Sequence, residues 1–190
     1  MVESNEPHAL HDQQEILYVT EEVRNGIIEL LPRLRRFAYA LSGSPDQGDD
    51  LVQESCARAL AHPEQYKSGT RLDNWMYRII RNIWFDQLRA SKVRGYVMDL
   101  DAVPEPAGDD GRDITESRLT LKQVLKAMAK LPPQQRLLIA LVCFEGLSYQ
   151  EAAEILEIPI GTVTSRLVRA RRMLCALAIE GSPAMEDGNA

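Results

Sequence analysis

Arg71, Arg78, Arg81, Arg89 and Lys92 recur at helical spacing. Turned at roughly 100° per residue, they fall within an arc of about 80°. Phe85 lies inside that arc, and Trp75 and Asn82 border it. Cations neutralise phosphates and aromatic rings stack on unpaired bases, so this mixture is the chemistry of single-stranded nucleic-acid binding. Trp84 reads as core, whereas core and stacking readings both stay open for Trp75 and Phe85. A second set pairs hydroxyls with arginines: Thr162, Ser165, Arg169 and Arg172, with Thr164 and Val168 at one edge. Such a face suits insertion into a DNA major groove. It also lacks any acidic residue between Ile158 and Ile179, unlike an ordinary solvated helix face, which mixes signs to limit repulsion.

A third set is acidic. Asp46, Asp49, Asp50, Gln53 and Glu54 gather near one helix start, with Arg58 a turn later. Carboxylates there favour the positive end of the helix dipole, and the same surface could dock a basic partner. A metal nuclease built on Asp49, Asp50 and Glu54 would need a converging shell of further ligands, which the sequence does not offer. His8 and His11 have ligand-like spacing but no cysteine or acidic frame around them, so neither a metal nor another cofactor is expected.

The elements that must position these groups are all helical, and the expected fold is all-α. Val23, Ile27, Leu30 and Leu31 open a helical pattern near Thr20, and Leu34, Phe37, Ala38 and Leu41 continue it beyond a break or kink at Pro32. Ser44 is placed to cap a helix over about Pro45–Ala61, with Leu51, Val52, Ser55, Cys56, Ala59 and Leu60 inward. Thr70 and Asp73 are placed to cap the basic–aromatic helix, whose core stripe is Leu72, Met76, Ile79, Ile80 and Ile83. Asp113 and Glu116 open a further helix through Leu121, Val124, Leu125 and Met128. Another begins at Leu131-Pro132-Pro133 and closes at Glu145-Gly146. Ser148 and Glu151 form a capping box ahead of Ala152, Ala153 and Leu156. Glu157-Ile158-Pro159 breaks that helix, and Ile160, Val163, Leu167, Ala170 and Leu174 mark the buried stripe of the next. The two helices with a tight turn between them read as a helix-turn-helix.

The chain has 190 residues and a net charge of −6, which is unfavourable for a DNA binder until it is divided along the sequence. Residues 1–23 hold six acids and no base, and residues 96–116 hold seven acids and one base. Between and after them, residues 24–95 carry +4 and residues 117–179 carry +5. Two basic bodies are thus tethered by an acidic segment, and basic bodies bind phosphates by releasing counterions. The segments read as an acidic, mobile tail over 1–19, a first domain over 20–95, a flexible acidic linker over 96–116, a second domain over 117–179 and a tail over 180–190. Cys56, Cys143 and Cys175 are odd in number and far apart, which fits reduced, partly buried thiols in a cytoplasmic protein. No apolar run reaches membrane-spanning length and no signal peptide is evident, so no membrane insertion is expected.

With these stretches in order, the chain resembles the extracytoplasmic-function sigma factors of the bacterial sigma-70 family. The similarity covers about residues 25–94 and 117–175. Asp49 to Glu54 resembles the segment that docks on the β′ subunit of RNA polymerase, and Trp75 to Asn82 resembles the segment that recognises and melts the promoter −10 element. Leu131-Pro132, Gln135-Arg136 and Gly146 to Ala153 resemble the start of the −35 domain, and Ile158 to Val163 with Ser165-Arg166 and Arg169-Ala170-Arg171 its recognition helix. The resemblance implies two small helical domains, region 2 and region 4. It implies docking on core polymerase (β′ and β subunits) through Asp49, Asp50, Gln53, Glu54 and Arg58. It places the melted −10 strand on Tyr66, Arg71, Trp75, Arg78, Arg81, Asn82, Phe85, Arg89 and Lys92, and the −35 duplex on Thr162, Thr164, Ser165, Val168, Arg169 and Arg172. It further implies an inhibitory anti-sigma factor as partner and no catalysis by the chain itself. Three positions depart from the common pattern: Glu157 stands where glycine is usual, and Thr164 and Val168 where basic or aromatic residues are. A helix-turn-helix regulator that binds operators without polymerase is the alternative, but it leaves the Arg71–Lys92 helix without a role.

Overall fold

The computed structural model describes residues 6–93 and 123–180, with side chains over 17–93 and 123–177. Every regular element among them is helical. Helix α1 spans Glu6–Ser42, α2 Pro45–Ala61 and α3 Leu72–Val93, with a short 3₁₀ turn, Pro63–Gln65, before α3. The described part of α4 covers 123–129; α5 is Pro133–Ile139 and runs on into a π-helical turn, Ala140–Phe144. Helices α6, Tyr149–Leu156, and α7, Ile160–Glu180, complete the order.

Helix α1 differs from expectation twice. It begins at Glu6 instead of near Thr20, so the segment read as a mobile tail is helical over most of its length. Residues such as Ala9, Leu10, Gln13, Gln14 and Glu15 are good helix formers with no breaker among them, and low hydrophobicity alone did not forbid a helix. It also passes through Pro32 without ending. Pro32 is exposed, and the apolar positions on either side, Val23, Ile27, Leu34, Phe37 and Leu41, all reach the same core. That shared burial outweighs the single hydrogen bond proline removes.

Helix α2 matches its expected bounds, with Ser44 extended at the N-cap and Pro45 opening the helix, although no hydroxyl bond closes the cap. Gly48 lets α2 approach α1 closely: a Cβ there would lie 3.1 Å from the Tyr39 amide nitrogen. Cys56 is half-buried and Leu60 exposed, both less enclosed than their periodicity implies, and Cys143 and Cys175 are exposed thiols. The Thr70–Asp73 cap does not form. Thr70 donates instead to the Lys67 carbonyl at 2.6 Å, and Asp73 turns to the Asn74 amide and to arginines.

The second half follows the pattern closely. Ser148 and Glu151 exchange both bonds of the capping box, at 3.2 and 2.8 Å. Glu157 ends α6 in the left-handed region (φ 57°), costing on the order of 1 kcal/mol for a side chain with a Cβ. Val163, Leu167 and Ala170 are buried on α7, Leu174 is half-buried, and Ile160 at the first turn stays exposed. The expected Asp113–Glu116 cap and the linker lie outside the described residues.

The two helical sets share one continuous core, from Phe37, Met76 and Tyr77 to Met128, Leu137 and Leu138. Arg136 stitches it. Its guanidinium is buried, donates to the carbonyls of Leu41 (2.8 Å), Leu131 (3.4 Å) and Ala129, and lies 5.8 Å from the Trp84 ring centre. Burial pushes its pKa down to about 10, so it remains a cation at neutral pH. Replacing it with alanine strands three carbonyls and opens a cavity. We expect R136A to lose about 3 kcal/mol in urea unfolding, and an unchanged midpoint would show those carbonyls to be hydrated.

Candidate nucleic-acid interface

Helix α3 positions the first set of cations because its other side is anchored. Met76, Ile80, Ile83 and Trp84 are buried, and Leu72 and Ile79 are half-buried. Trp84 is therefore core, as read. Trp75 and Phe85 are half-buried and pack on core neighbours: Trp75 against Tyr66 at 5.4 Å and Phe85 against Trp84 at 5.2 Å between ring centres. Tyr66 is enclosed in this arrangement: 5% of it is exposed, its hydroxyl donates to the Thr70 carbonyl at 2.6 Å, and its ring supports Trp75.

The cations divide into two groups. Arg89 and Lys92 are exposed at the C-terminal end of α3, with Arg89 bonded to Asp86 at 2.8 Å. They line a groove of about 430 Å³ with Phe85, Leu88, Arg166 and Arg169, completed by residues 132–135, with no acid among the described residues that line it. Arg71, Arg78 and Arg81 instead reach across to α6. Arg71 bonds Glu151, Arg78 donates to the Glu154 carbonyl at 3.0 Å, and Arg81 bonds the Ile155 carbonyl and, at 3.3 Å, Glu157. Asn82 is exposed beside Arg81, which donates to it at 3.0 Å.

On α7, Thr164, Ser165, Val168, Arg169 and Arg172 are exposed while Thr162 is half-buried. Thr164 and Ser165 hydroxyls donate back to the Ile160 and Thr162 carbonyls at 3.1 and 3.2 Å. That leaves their lone pairs outward as acceptors. Arg171, off this face, lies 3.5 Å from the Tyr149 hydroxyl.

On α2, Asp50, Gln53, Glu54 and Arg58 are exposed. Glu54 pairs with Arg58 at 3.3 Å and accepts from Gln87 at 3.2 Å. Asp49 is held differently: Arg35 grips both its oxygens, at 2.8 and 2.7 Å, and holds its carboxyl below the usual range. Asp49 thereby ties α2 to α1 as well as facing outward.

A polar cluster that the sequence did not reveal sits under the α3–α6 contact. The Glu145 side chain is fully buried; one oxygen accepts from the Tyr77 hydroxyl at 2.6 Å and from Arg33 Nε at 3.2 Å, and the other has no partner among the described residues. Burial and the Glu145 carboxylate keep the Tyr77 phenol protonated. Asp73 accepts from Arg71 at 2.6 Å and from Arg33 at 3.4 Å. Burial resists ionisation of Asp73, but Arg71, the Asn74 amide and Arg33 outweigh it and hold its pKa below the ordinary 3.8. With the folded value below the unfolded one, its stabilisation is complete above the unfolded pKa and is lost as pH falls through the folded one. The stability difference between wild type and D73N in urea should therefore be flat above about pH 5 and shrink below about pH 4. A difference independent of pH would contradict this.

The chain matches the sigma-70 region 2 model over residues 27–94 and the sigma-70 region 4 model over residues 121–174. It is 38% identical over 159 residues to the ECF RNA polymerase sigma factor EcfG of Rhodopseudomonas palustris, spanning 84% of this chain and 86% of that one. The chain belongs to the extracytoplasmic-function sigma factors. SigW of Bacillus subtilis is 30% identical over 75% of this sigma factor and 81% of its own length. Among solved structures, the sigma factor RpoE of Bartonella quintana, determined with the anti-sigma factor NepR, superposes with a TM-score of 0.70 at 30% identity, covering 85% of this chain and 99% of that one. CnrH, solved with the cytosolic domain of CnrY, shares the fold (TM-score 0.61, 21% identity, 88% and 96% covered). In this sigma factor the region 2 match takes in α2, α3 and the latter part of α1, and the region 4 match covers the described α4–α6 and most of α7. Sigma factors are transcription initiation factors. None of the described helices is long and apolar enough to cross a membrane.

Proposed function

We propose that this sigma factor acts in the cytoplasm, docks on the β′ and β subunits of core RNA polymerase and holds a promoter at two points. The carrying observation is that one chain carries two basic faces of different chemistry, on α3 and on α7. The α7 face is exposed, free of acids and mixes hydroxyls, Val168 and arginines, which suits base edges of the −35 duplex. The α3 face combines arginines with Trp75 and Phe85, which suits a melted −10 strand. A duplex-only operator binder has no use for the second face. Docking uses Asp50, Gln53, Glu54 and Arg58, with Asp49 shared between polymerase and Arg35. Within the −10 set, Arg71, Trp75, Arg78, Arg81, Asn82, Phe85, Arg89 and Lys92 make the contacts, and Tyr66 supports them from the core. On the −35 side, Thr164, Ser165, Val168, Arg169 and Arg172 read or grip the duplex, with Thr162 at the edge.

An anti-sigma factor restrains the protein in this reading, as its solved relative was captured with one. Addition of the purified chain to core polymerase, followed by transcript mapping on genomic templates, tests the proposal. Transcripts from a defined set of start sites are expected. Tight operator binding without any polymerase-dependent transcript would replace it by the regulator reading.

A further inference from the structure

On α1, Leu17, Tyr18 and Ile28 are 62%, 66% and 61% exposed, so they forgo the burial that the other apolar residues of this helix obtain. Leu17, Glu21, Arg24 and Ile28 recur at spacings of four, three and four. At roughly 100° per residue they share an arc of about 60°, about 110° round from the buried stripe of Val23, Ile27 and Leu34. That spacing is the seam of a two-helix coil. Glu21 and Arg24 pair within the helix at 3.7 Å, but both are well exposed, so the pair alone contributes little to the fold. The order apolar, acidic, basic, apolar is complementary to its own reverse. Charge is divided in the same sense over the whole helix: residues 1–23 hold six acids and no base, whereas residues 24–42 hold four arginines and one glutamate. Arg33 and Arg35 already grip carboxylates of their own chain, which leaves Arg24 and Arg36 for an outside partner.

We propose that this face docks a second copy of the chain, α1 against α1, antiparallel about a two-fold axis that crosses the helix between residues 22 and 23. Leu17 then meets Ile28 of the second copy and Glu21 meets Arg24 of the second copy. Each contact occurs twice, as a two-fold interface requires. Charge selects the direction. In a parallel pair Glu21 would face Glu21 and Arg24 would face Arg24, whereas the antiparallel pair alternates signs through all four groups. It also sets the acid-rich start of each α1 along the basic latter half of the other. Tyr18 flanks the stripe and adds ring area at its edge. Four apolar anchors and four charges make a small interface, at the weak end for proteins, so the dimer is expected to dissociate at about 10–100 µM. None of these residues belongs to the polymerase-docking or promoter-binding sets.

Sedimentation velocity on the full chain, between about 5 and 500 µM, should show a monomer–dimer equilibrium. L17S/I28S should weaken it about tenfold or more by removing the apolar anchors. E21R alone and R24E alone each set like charges opposite one another, and each should weaken self-association about tenfold or more. Mixed in equal amounts, these two variants should associate again, because every cross pair is then of opposite sign. The double reversal E21R/R24E should self-associate like wild type for the same reason. Thermal melts and transcription with core polymerase should be unchanged throughout, since all four side chains are exposed. A wild type that stays monomeric over this range overturns the proposal. A dimer that survives L17S/I28S, or single reversals that the mixture fails to rescue, also overturns it by placing the contact elsewhere. Loss of transcription in L17S/I28S with an unchanged melt and no change in association would assign the stripe to polymerase instead.

Discussion

R169A/R172A is expected to reduce transcription from a −35-dependent promoter by about 2–6 kcal/mol, on the order of 30- to 10⁴-fold, through loss of two arginine contacts worth roughly 1–3 kcal/mol each. Both side chains are exposed on the α7 face, and no described ion pair holds either of them, so the fold should be indifferent to the change. Surface substitutions of that kind shift stability by about 0.5 kcal/mol or less. The check is single-round transcription with core polymerase across a salt series, alongside a thermal melt. R171A is the internal control, since Arg171 leans on Tyr149 away from the reading face. If R171A and R169A/R172A were equally impaired, the α7 face would be wrongly assigned.

F37A should be the most damaging single core change considered. Phe37 is fully buried, and its ring centre lies 4.7 Å from that of Tyr77, whose hydroxyl in turn holds Glu145 at 2.6 Å. Truncation of a buried phenylalanine costs about 3–5 kcal/mol, a large share of the 5–15 kcal/mol typical of a native domain. At roughly 2–4 °C per kcal/mol for a chain of this size, the melting temperature should fall by about 6–20 °C. Calorimetry measures this directly. A fall below about 3 °C would mean that the α1–α3 contact is not the keystone of the first helical set.

Within the described residues, what was legible in the chain was local. The bounds of α2 followed from Ser44, Pro45 and an apolar stripe, because capping and helical periodicity act over a few residues. The helix-turn-helix followed in the same way from Ser148–Glu151 and the Pro159 break, and so did the outward faces of α3 and α7. Misreadings arose where a distant contact overrode a local signal. Pro32 did not end α1 because residues on both sides share one core. Asp73 left its expected capping partner for Arg71 and Arg33.

By itself the sequence determined the helices, their polar and apolar faces, the segregation of charge and, through the order of its motifs, the family. These properties depend on residue type and short spacing alone. Only the tertiary structure decided that Arg136 would be buried against the Leu41 carbonyl, that Glu145 would meet Tyr77 and Arg33, and that α6 would lie on Arg71, Arg78 and Arg81. Those pairings join residues about 70 to 112 positions apart. No periodicity carries information over that distance. The α3–α6 contact exists because the two apolar cores merge, and the charges around it took the partners that the merger left within reach.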